Sequence, residues 1–318
     1  MMEWNKWENY RGSGQKPTDF DEWWDNNLKQ MNDLPLEYEI IPEAIPSHVA
    51  NFYHLYFNGV GGARVHCQLI TPKILKKKHK GMLLFHGYHT NSGDFQDKIG
   101  WAAEGFVVLA LDARGQGGLS QNHTQTDGGT MRGLIIRGIE EGRDNLYFRN
   151  VFLDTAHAAR ILQSFDYVDK EKIYAQGASQ GGGLTLACAG LVPNLHRVFV
   201  SYPFLTDYRK AYQLGAQTSA YEEIPYWFQF RDPLHDREEE IFHTLEYIDI
   251  QHFAPRIKAS VVWAIGLQDA VCPPVTQFAT YNNINAKKEI IVLPEYGHEY
   301  LPRINDVYRN FFSMNRIP

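Results

Sequence analysis

The sequence is poor in cysteine and has no long apolar run. Cys67, Cys188 and Cys272 are the only cysteines among 318 residues. An odd, small number without framework spacing argues against a disulfide-stabilised secreted domain and fits a reducing compartment. No apolar stretch approaches the ~20 residues that cross a bilayer, and residues 1–10 lack the basic and apolar regions of a secretory signal. We therefore expect a cytoplasmic protein that does not associate with membranes.

The chain also lacks a strong excess of charge of either sign. Its formal net charge is -6, which argues against non-specific binding to nucleic acid. The histidines, cysteines and acidic residues show no metal-ligand spacing, so we expect neither a metal nor another cofactor. The remaining composition, 44% hydrophobic and 21% charged, is that of an ordinary globular protein with enough material for a core.

Short apolar runs alternate with helical patterns from residue 81 onward. Continuous apolar runs are typical of strands that are buried on both faces, as in a parallel sheet. Before them, residues 49–71 predict a hairpin that turns at Asn58 and Gly59. The pattern predicts an α/β fold with a mostly parallel, doubly covered sheet and an N-terminal hairpin extension. The predicted strands after the hairpin are 81–85, 106–111, 172–176, 197–200, 261–265 and 289–293.

Two segments lie outside this alternation. Residues 1–17 are interpreted as an arm that lies on a protein surface, and Thr18 is predicted to cap the helix that follows. Residues 203–258 form an aromatic insertion after a central strand, which predicts either a cap over the site or an oligomer contact. We interpret residues 1–318 as a single domain, with 1–48 as its N-terminal arm and helix.

The stretch Gly177-Ala-Ser-Gln-Gly181 lies between a predicted strand and a predicted helix of small residues. This context turns a G-x-S-x-G match into a nucleophile elbow, in which glycines permit the tight turn. The serine hydroxyl then lies at a helix start, where free backbone N–H groups favour developing negative charge. We therefore predict that Ser179 is a nucleophile rather than a serine in an ordinary glycine-rich loop.

A serine hydroxyl needs a base to remove its proton and a third group to hold that base. In α/β folds of this kind the chain order is serine, acid, histidine. His298 follows the last predicted strand and is the predicted base. Asp269 follows the strand 261–265 and is the predicted acid, although such an aspartate can instead bond its own turn. The alternative acids Asp232 and Asp249 lie in the insertion and follow no sheet strand.

The oxyanion of a tetrahedral intermediate needs hydrogen-bond donors. The backbone N–H of Gln180, which follows the nucleophile, supplies one, and the loop after the strand 81–85 supplies another, for which Tyr88 is the candidate. The loop from Arg114 to Gly117 lacks the spacing of a phosphate-binding loop. We predict that its arginine ties neighbouring loops together.

Three motifs, Arg114-Gly-Gln-Gly117, Gly177-Ala-Ser-Gln-Gly-Gly182 and His298-Glu299, occur here in the order that resembles the acetyl xylan esterase / cephalosporin-C deacetylase family of serine esterases. Supporting stretches extend the resemblance over nearly the whole chain. It implies an α/β-hydrolase fold and deacetylation of small acetylated molecules, including acetylated xylo-oligosaccharides and cephalosporin C. It also implies an intracellular homohexamer that needs no metal. The segment 300–303 is less glycine-rich than the family pattern, and the arm differs from it.

On these residues the resemblance places a triad of Ser179, Asp269 and His298, with Tyr88 and Gln180 as oxyanion donors. The predicted function is therefore a carboxylic ester hydrolase that removes acetyl groups through an acetyl-enzyme. Two alternatives stay open. One is another activity of the fold, acyltransferase or peptidase, although a peptidase needs amine-recognising acids near the site and the sequence reveals none. The other is a non-catalytic binding protein, which would be expected to lack part of the triad.

Overall fold

The computed structural model describes residues 3–128, 131–215 and 220–313. Within these ranges the strands are β1 (Tyr38–Glu43), β2 (Ala50–Asn58), β3 (Arg64–Pro72), β4 (His79–Phe85), β5 (Phe106–Leu111), β6 (Val168–Ala178), β7 (Arg197–Ser201), β8 (Ser260–Gly266) and β9 (Lys288–Leu293). They form one sheet in the order β1-β2-β3-β5-β4-β6-β7-β8-β9. Neighbouring strands from β1 to β5 in this order are antiparallel, and those from β5 to β9 are parallel.

Helices cover both faces of the sheet. None of the helices in the described ranges combines the length and apolar character needed to span a membrane. The α-helices are α1 (Phe20–Asn32), α2 (Ile99–Ala103), α3 (Tyr147–Ser164), α4 (Gln180–Leu191), α5 (Tyr208–Gln213), α6 (Glu223–Arg231), α7 (Glu238–Leu245), α8 (Pro274–Asn283) and α9 (Ile304–Ser313). Short 3-10 turns occupy Glu3–Trp7, Val60–Gly62, Phe95–Lys98, Arg143–Asn145, Ala220–Glu222, Glu246–Ile248, Ile250–His252 and Ala254–Arg256.

The alternation of side chains along β5 explains why the sheet is covered twice. Val107, Leu109 and Leu111 pack into the larger core, with α1, α3, α4 and the insertion. Phe106 and Val108 pack into the smaller core on the other face, with α2 and α9. Successive residues of a strand point to opposite faces, so a strand apolar at every position must have a core on each side. The predicted α/β architecture and each predicted strand are confirmed.

The N-terminal region differs from its prediction in two respects. Within 1–48 the structure has, besides arm and helix, the edge strand β1, whose residues are exposed apart from half-buried Glu43. The prediction that Thr18 caps this helix is also wrong. Helix α1 begins at Phe20, Asp19 is at the N-cap position, and the Asp19 side chain makes no cap hydrogen bond. The Asp19 carboxylate instead accepts hydrogen bonds from Arg143 and Tyr247. The Asp19 side chain, which lies at the N-cap position, is therefore engaged in tertiary contacts and does not cap the helix.

The N-terminal arm lies on the insertion and on α8 of its own chain. The Tyr10 and Ser13 hydroxyls donate to the Asp207 carboxylate at 2.6 and 2.5 Å. The Asn282 side chain donates to the backbone carbonyls of Trp7 and Tyr10, each at 2.8 Å. The predicted arm on a protein surface is thus present, and the surface is formed by this chain.

Candidate active site

Ser179 occupies a sharp turn between β6 and α4. Its φ is 55° and its ψ is -122°, a conformation that L-residues rarely adopt. A Cβ at position 177 would lie 2.2 Å from the Gly181 carbonyl, and one at 181 would lie 2.1 Å from the Phe85 carbonyl oxygen. Both approaches involve backbone atoms that have no freedom to retreat. The two glycines are therefore required to bring the serine to the carboxyl edge of the sheet.

His298 connects Ser179 to Asp269. Its Nε2 is 3.0 Å from the Ser179 Oγ, and its Nδ1 is 2.9 Å from the Asp269 Oδ2. An ionised carboxylate only accepts, so the proton of the neutral imidazole lies on Nδ1 and Nε2 is free to accept from the serine hydroxyl. The three residues that the sequence predicts as a triad are thus brought together in one hydrogen-bonded series at the carboxyl edge of the sheet.

Asp269 also makes the turn bonds that were its alternative interpretation. Its Oδ1 accepts from the backbone N–H groups of Val271 and Cys272 at 2.9 and 2.7 Å, while its Oδ2 faces the histidine. The side chain is fully buried. Asp232 and Asp249, the competing acids, instead accept backbone hydrogen bonds within the insertion. One carboxylate therefore serves both roles, and its turn bonds fix its orientation.

The loop that holds Tyr88 is connected to the elbow by the Gln180 side chain. The amide of Gln180 donates to the carbonyls of His86 and Gly87 at 3.3 and 3.4 Å and exchanges hydrogen bonds with Gln116. In the described part of the chain, the backbone N–H groups of Tyr88 and Gln180 donate to no other group. These two N–H groups, the predicted oxyanion donors, therefore remain available to a ligand.

His86 stabilises the same loop in its neutral form. Its Nδ1 donates to the Gly87 carbonyl at 2.7 Å, and its Nε2 accepts from the Ala113 N–H at 2.9 Å. Burial lowers the pKa of His86, which favours the single-proton tautomer that this pair of bonds requires. The imidazole thus joins the loop to the end of β5.

The loop 114–117 supports the site differently from its prediction. Arg114 binds Asp154 of α3 through two hydrogen bonds of 2.5 and 2.7 Å, and both side chains are 1% exposed. The predicted connection between neighbouring loops is present, but Gln116 and Gly117 form it and Arg114 does not. Gln116 accepts from the His89 N–H, and the Gly117 N–H donates to the Thr90 carbonyl. Arg114 therefore fixes the loop to a helix, and its neighbours fix the 86–90 loop.

Ser179 and His298 open onto two cavities. One, of about 600 Å³, is bordered by Tyr88, Arg132, Glu222 and Val271, and part of the insertion 203–258 thereby borders the site. The other, of about 440 Å³, lies toward Tyr202, Lys98 and Ser92. Their sizes suit small molecules.

Glu223 is a residue of this site that the sequence analysis missed. The structure places it and Glu222 on the larger cavity, where the sequence analysis located no acid that could recognise an amine. Burial raises the pKa of the Glu223 carboxyl to about 7, against the opposing effect of hydrogen bonds from Tyr88, Ile135 and Leu134. An acid at the start of an insertion helix is an ordinary surface pattern, so nothing local signals this position.

Tyr202 and Cys272 are two further neighbours. The Tyr202 ring lies 4.6 Å from the His298 ring, centroid to centroid. The Cys272 thiol is buried, and this burial together with the Asp269 carboxylate raises its pKa well above the usual value. Asp269, Cys272 and His298 each offer one possible metal ligand, all within 4.8 Å of one another. A cation bound there would have to displace the Asp269–His298 hydrogen bond and the thiol proton.

A mostly parallel sheet with helices on both faces, and a serine at a strand–helix elbow beside a histidine and an aspartate, define the class of α/β-hydrolase folds. The family model for acetyl xylan esterase (AXE1) matches residues 1–315. The chain therefore belongs to the acetyl xylan esterase family, a family of carboxylic ester hydrolases. The family resemblance drawn from the sequence motifs and the predicted fold are both confirmed.

Solved structures agree with this assignment. Acetyl xylan esterase 1 from Thermoanaerobacterium sp. JW/SL YS485 is 45% identical with a TM-score of 0.95, and 98% of each chain is covered. Acetyl xylan esterase from Paenibacillus sp. R4 is 34% identical with a TM-score of 0.93, covering 98% of this chain and 99% of that one. Among curated proteins, acetyl esterase Axe7A of Xylanibacter ruminicola is 26% identical over 292 residues. That match covers 89% of this chain but only 63% of the relative's own length.

Proposed function

We propose that this protein is a serine esterase that removes acetyl groups from small acetylated substrates through an acetyl-enzyme intermediate. The observation that carries the proposal is the hydrogen-bonded series from Asp269 through His298 to Ser179, at 2.9 and 3.0 Å. Family membership supports the acetyl ester as the bond that is cleaved. Acetylated xylo-oligosaccharides and cephalosporin C are the substrates that we propose.

In the first half-reaction Ser179 Oγ attacks the ester carbonyl carbon while its proton passes to His298 Nε2. The negative charge that develops on the carbonyl oxygen is stabilised by the backbone N–H groups of Tyr88 and Gln180. Asp269 remains ionised, holds Nδ1–H and stabilises the imidazolium. The bond to the alcohol oxygen then breaks, and His298 returns the proton to the leaving alcohol.

In the second half-reaction water replaces the alcohol. His298 Nε2 takes a proton from the attacking water, whose oxygen bonds to the acetyl carbon. The same N–H groups stabilise the second oxyanion. Collapse returns that proton to Ser179 Oγ and releases acetic acid, which gives its own proton to the solvent to become acetate, so the protein ends in its starting state. No group beyond these residues and water is needed for the balance of atoms and charge.

The serine assignment is tested by Ser179→Ala. We expect kcat for acetate release to fall by about 10⁶-fold, as in other serine triads, with an unchanged melting temperature. Ser164→Ala is the matched control, because that hydroxyl donates only to the Ile161 carbonyl within α3. Near-normal acetate release by Ser179→Ala, or covalent labelling by an organophosphate at another residue, would contradict the proposal.

The preference for acetyl is tested with aryl acetate, butyrate and octanoate esters. We expect kcat/KM to fall with chain length, and equal or better activity on octanoate would remove the acetyl assignment. A parallel panel of acetylated xylo-oligosaccharides and cephalosporin C identifies the alcohol portion. Acetate release from one group alone would narrow the proposed substrates to that group.

Two acids lie on the cavity, and the buried one, Glu223, does not favour a peptidase. An acid that recognises a substrate amine must have an oxygen free to accept from it. Glu223 already accepts from Tyr88 and two backbone N–H groups, and Glu222 pairs with Arg132 at 3.4 Å. The buried Glu223 carboxylate is therefore engaged within the protein, whereas Glu222 is partly exposed and pairs through one oxygen only, so it is family membership that supports ester cleavage over amine-directed peptide cleavage.

We further propose that residues 1–318 form a single domain in which the insertion 203–258 caps the site. The arm's contacts with Asp207 and the position of Glu222 and Glu223 beside the cavity support this organisation. A cytoplasmic location and a homohexamer remain proposals. The three buried free cysteines support the former, and the latter rests on family resemblance alone. Light scattering of the purified protein would test the hexamer.

A further inference from the structure

Glu223 begins α6, and its carboxylate is buried beside the cavity that contains Ser179. One oxygen accepts a hydrogen bond from the Tyr88 hydroxyl. The other accepts the backbone N–H groups of Leu134 and Ile135 at 2.8 and 2.7 Å. Because each of these partners can donate, an ionised carboxylate, which only accepts, satisfies all of them at once.

This carboxylate forms no ion pair within the described ranges. Arg132 borders the same cavity, but its guanidinium pairs with Glu222. Burying a carboxylate without a cation is unfavourable, and the raised pKa of Glu223 reflects that penalty. A buried acid with a shifted pKa in a cleft is a candidate for a functional role. The contact with Tyr88 indicates which role.

Tyr88 links this carboxylate to the oxyanion side of the site. Its ring stacks on His89 with centroids 3.9 Å apart and packs against Phe204 at 5.6 Å. Its hydroxyl is held by Glu223, and the Leu134 N–H approaches the same hydroxyl at 3.1 Å. A side chain held at its far end restricts the rotation of its own backbone, and that backbone carries the N–H proposed as an oxyanion donor.

We propose that Glu223 is a positioning residue for the Tyr88 N–H, and that through it the insertion controls the rate of ester cleavage. The inference rests on the proposed serine-esterase function. Stabilisation of an oxyanion occurs only in the transition state, so a loosened donor lowers kcat and leaves KM nearly unchanged. Loss of a whole donor lowers the rate by about 10²–10³-fold. When the donor is retained but held less firmly, the rate should fall less, and we expect a decrease in kcat of about 10–100-fold.

The test uses Tyr88→Phe and Glu223→Gln in the full chain, with steady-state kinetics on aryl acetate. Tyr88→Phe keeps the ring and the N–H and removes only the hydroxyl. Matched controls are Tyr247→Phe, whose hydroxyl bonds Asp19 and Arg143, and Glu239→Gln, whose carboxylate pairs with Arg209 at the surface. We expect kcat to fall about 10–100-fold in both test variants with KM within about 3-fold, and both controls to stay within about 3-fold.

The double variant distinguishes positioning through one contact from two separate effects. If Glu223 acts through Tyr88, the double variant loses no more than the more impaired single variant. A wild-type protein that releases no acetate would refute the esterase function itself. An active wild type with Tyr88→Phe within about 3-fold in kcat, or with a change in KM alone, would overturn the positioning role. If Glu223→Gln fails to fold, the kcat of Tyr88→Phe alone decides whether the hydroxyl contact positions the Tyr88 N–H.

Discussion

Asp269→Asn is a substitution whose consequence can be worked out atom by atom. Asp269 Oδ1 accepts from the N–H groups of Val271 and Cys272, and only an oxygen can occupy that position. The asparagine oxygen is therefore fixed there, and its NH₂ group replaces Oδ2, 2.9 Å from His298 Nδ1. Because NH₂ donates, Nδ1 must accept, and the imidazole proton moves to Nε2. Nε2 then points a hydrogen at Ser179 Oγ and no longer accepts its proton.

The expected loss is about 10⁴-fold in kcat, as found when asparagine imposes the wrong tautomer in another serine triad. At 1.36 kcal/mol for each tenfold, that is about 5.4 kcal/mol of transition-state stabilisation. The melting temperature should change little, because the two backbone hydrogen bonds to position 269 are retained. A large catalytic loss with an intact fold is thus the signature of the tautomer effect.

The assay is the initial rate on 4-nitrophenyl acetate, with acetate release as a second readout. Asp232→Asn is the control for the same change at another buried carboxylate, which accepts one backbone N–H on each oxygen and makes no contact with His298. Its kcat should stay within about 3-fold of the wild type. An Asp269→Asn protein with more than about a tenth of wild-type kcat would refute the tautomer argument.

Three other predictions concern stability and local geometry. Arg114→Met leaves the Asp154 carboxylate buried and unpaired, which should lower the free energy of unfolding by about 3–5 kcal/mol. For a chain of this size the melting temperature should fall by about 4–7 °C. In a thermal melt, the double variant Arg114→Met/Asp154→Leu should recover most of this loss. Burial raises the pKa of Glu246 to about 8, so its protonated form stabilises the fold and that contribution is lost as pH rises from about 4.5 to 8. The melting temperature of Glu246→Gln should therefore rise relative to the wild type between pH 5 and 8.5, and a constant difference would contradict this. Gly181→Ala should abolish esterase activity because its Cβ meets backbone 2.1 Å away, whereas Gly100→Ala, which meets only the Arg309 side-chain end at 3.5 Å, should not.

The strands and the candidate triad were predictable because their signals are local. A run such as 106–111 is apolar at every position, and Ser179 lies between two glycines at a strand–helix boundary. What failed depends on contacts between distant segments. Glu223 reaches Tyr88 across 135 residues, and the partner of Arg114 is set by the position of α3. The edge strand β1 contains Tyr38, Ile40 and Ile41, but its apolar residues do not alternate regularly and Pro42 argues against a strand, so the sequence does not reveal it.

Gln180 has two roles, one for its backbone and one for its side chain, and this matters for any attempt to transfer the site to another protein. Its backbone N–H is one of the two proposed oxyanion donors, while its side chain donates hydrogen bonds to the carbonyls of His86 and Gly87, next to the second proposed donor. If residues 177–181 alone were grafted onto another scaffold, they would carry the proposed nucleophile but not the 86–88 loop that holds the second proposed donor. A functional graft should therefore include the 86–88 loop and Gln116 together with residues 177–181. The structural unit that supports the reaction is larger than the G-x-S-x-G motif.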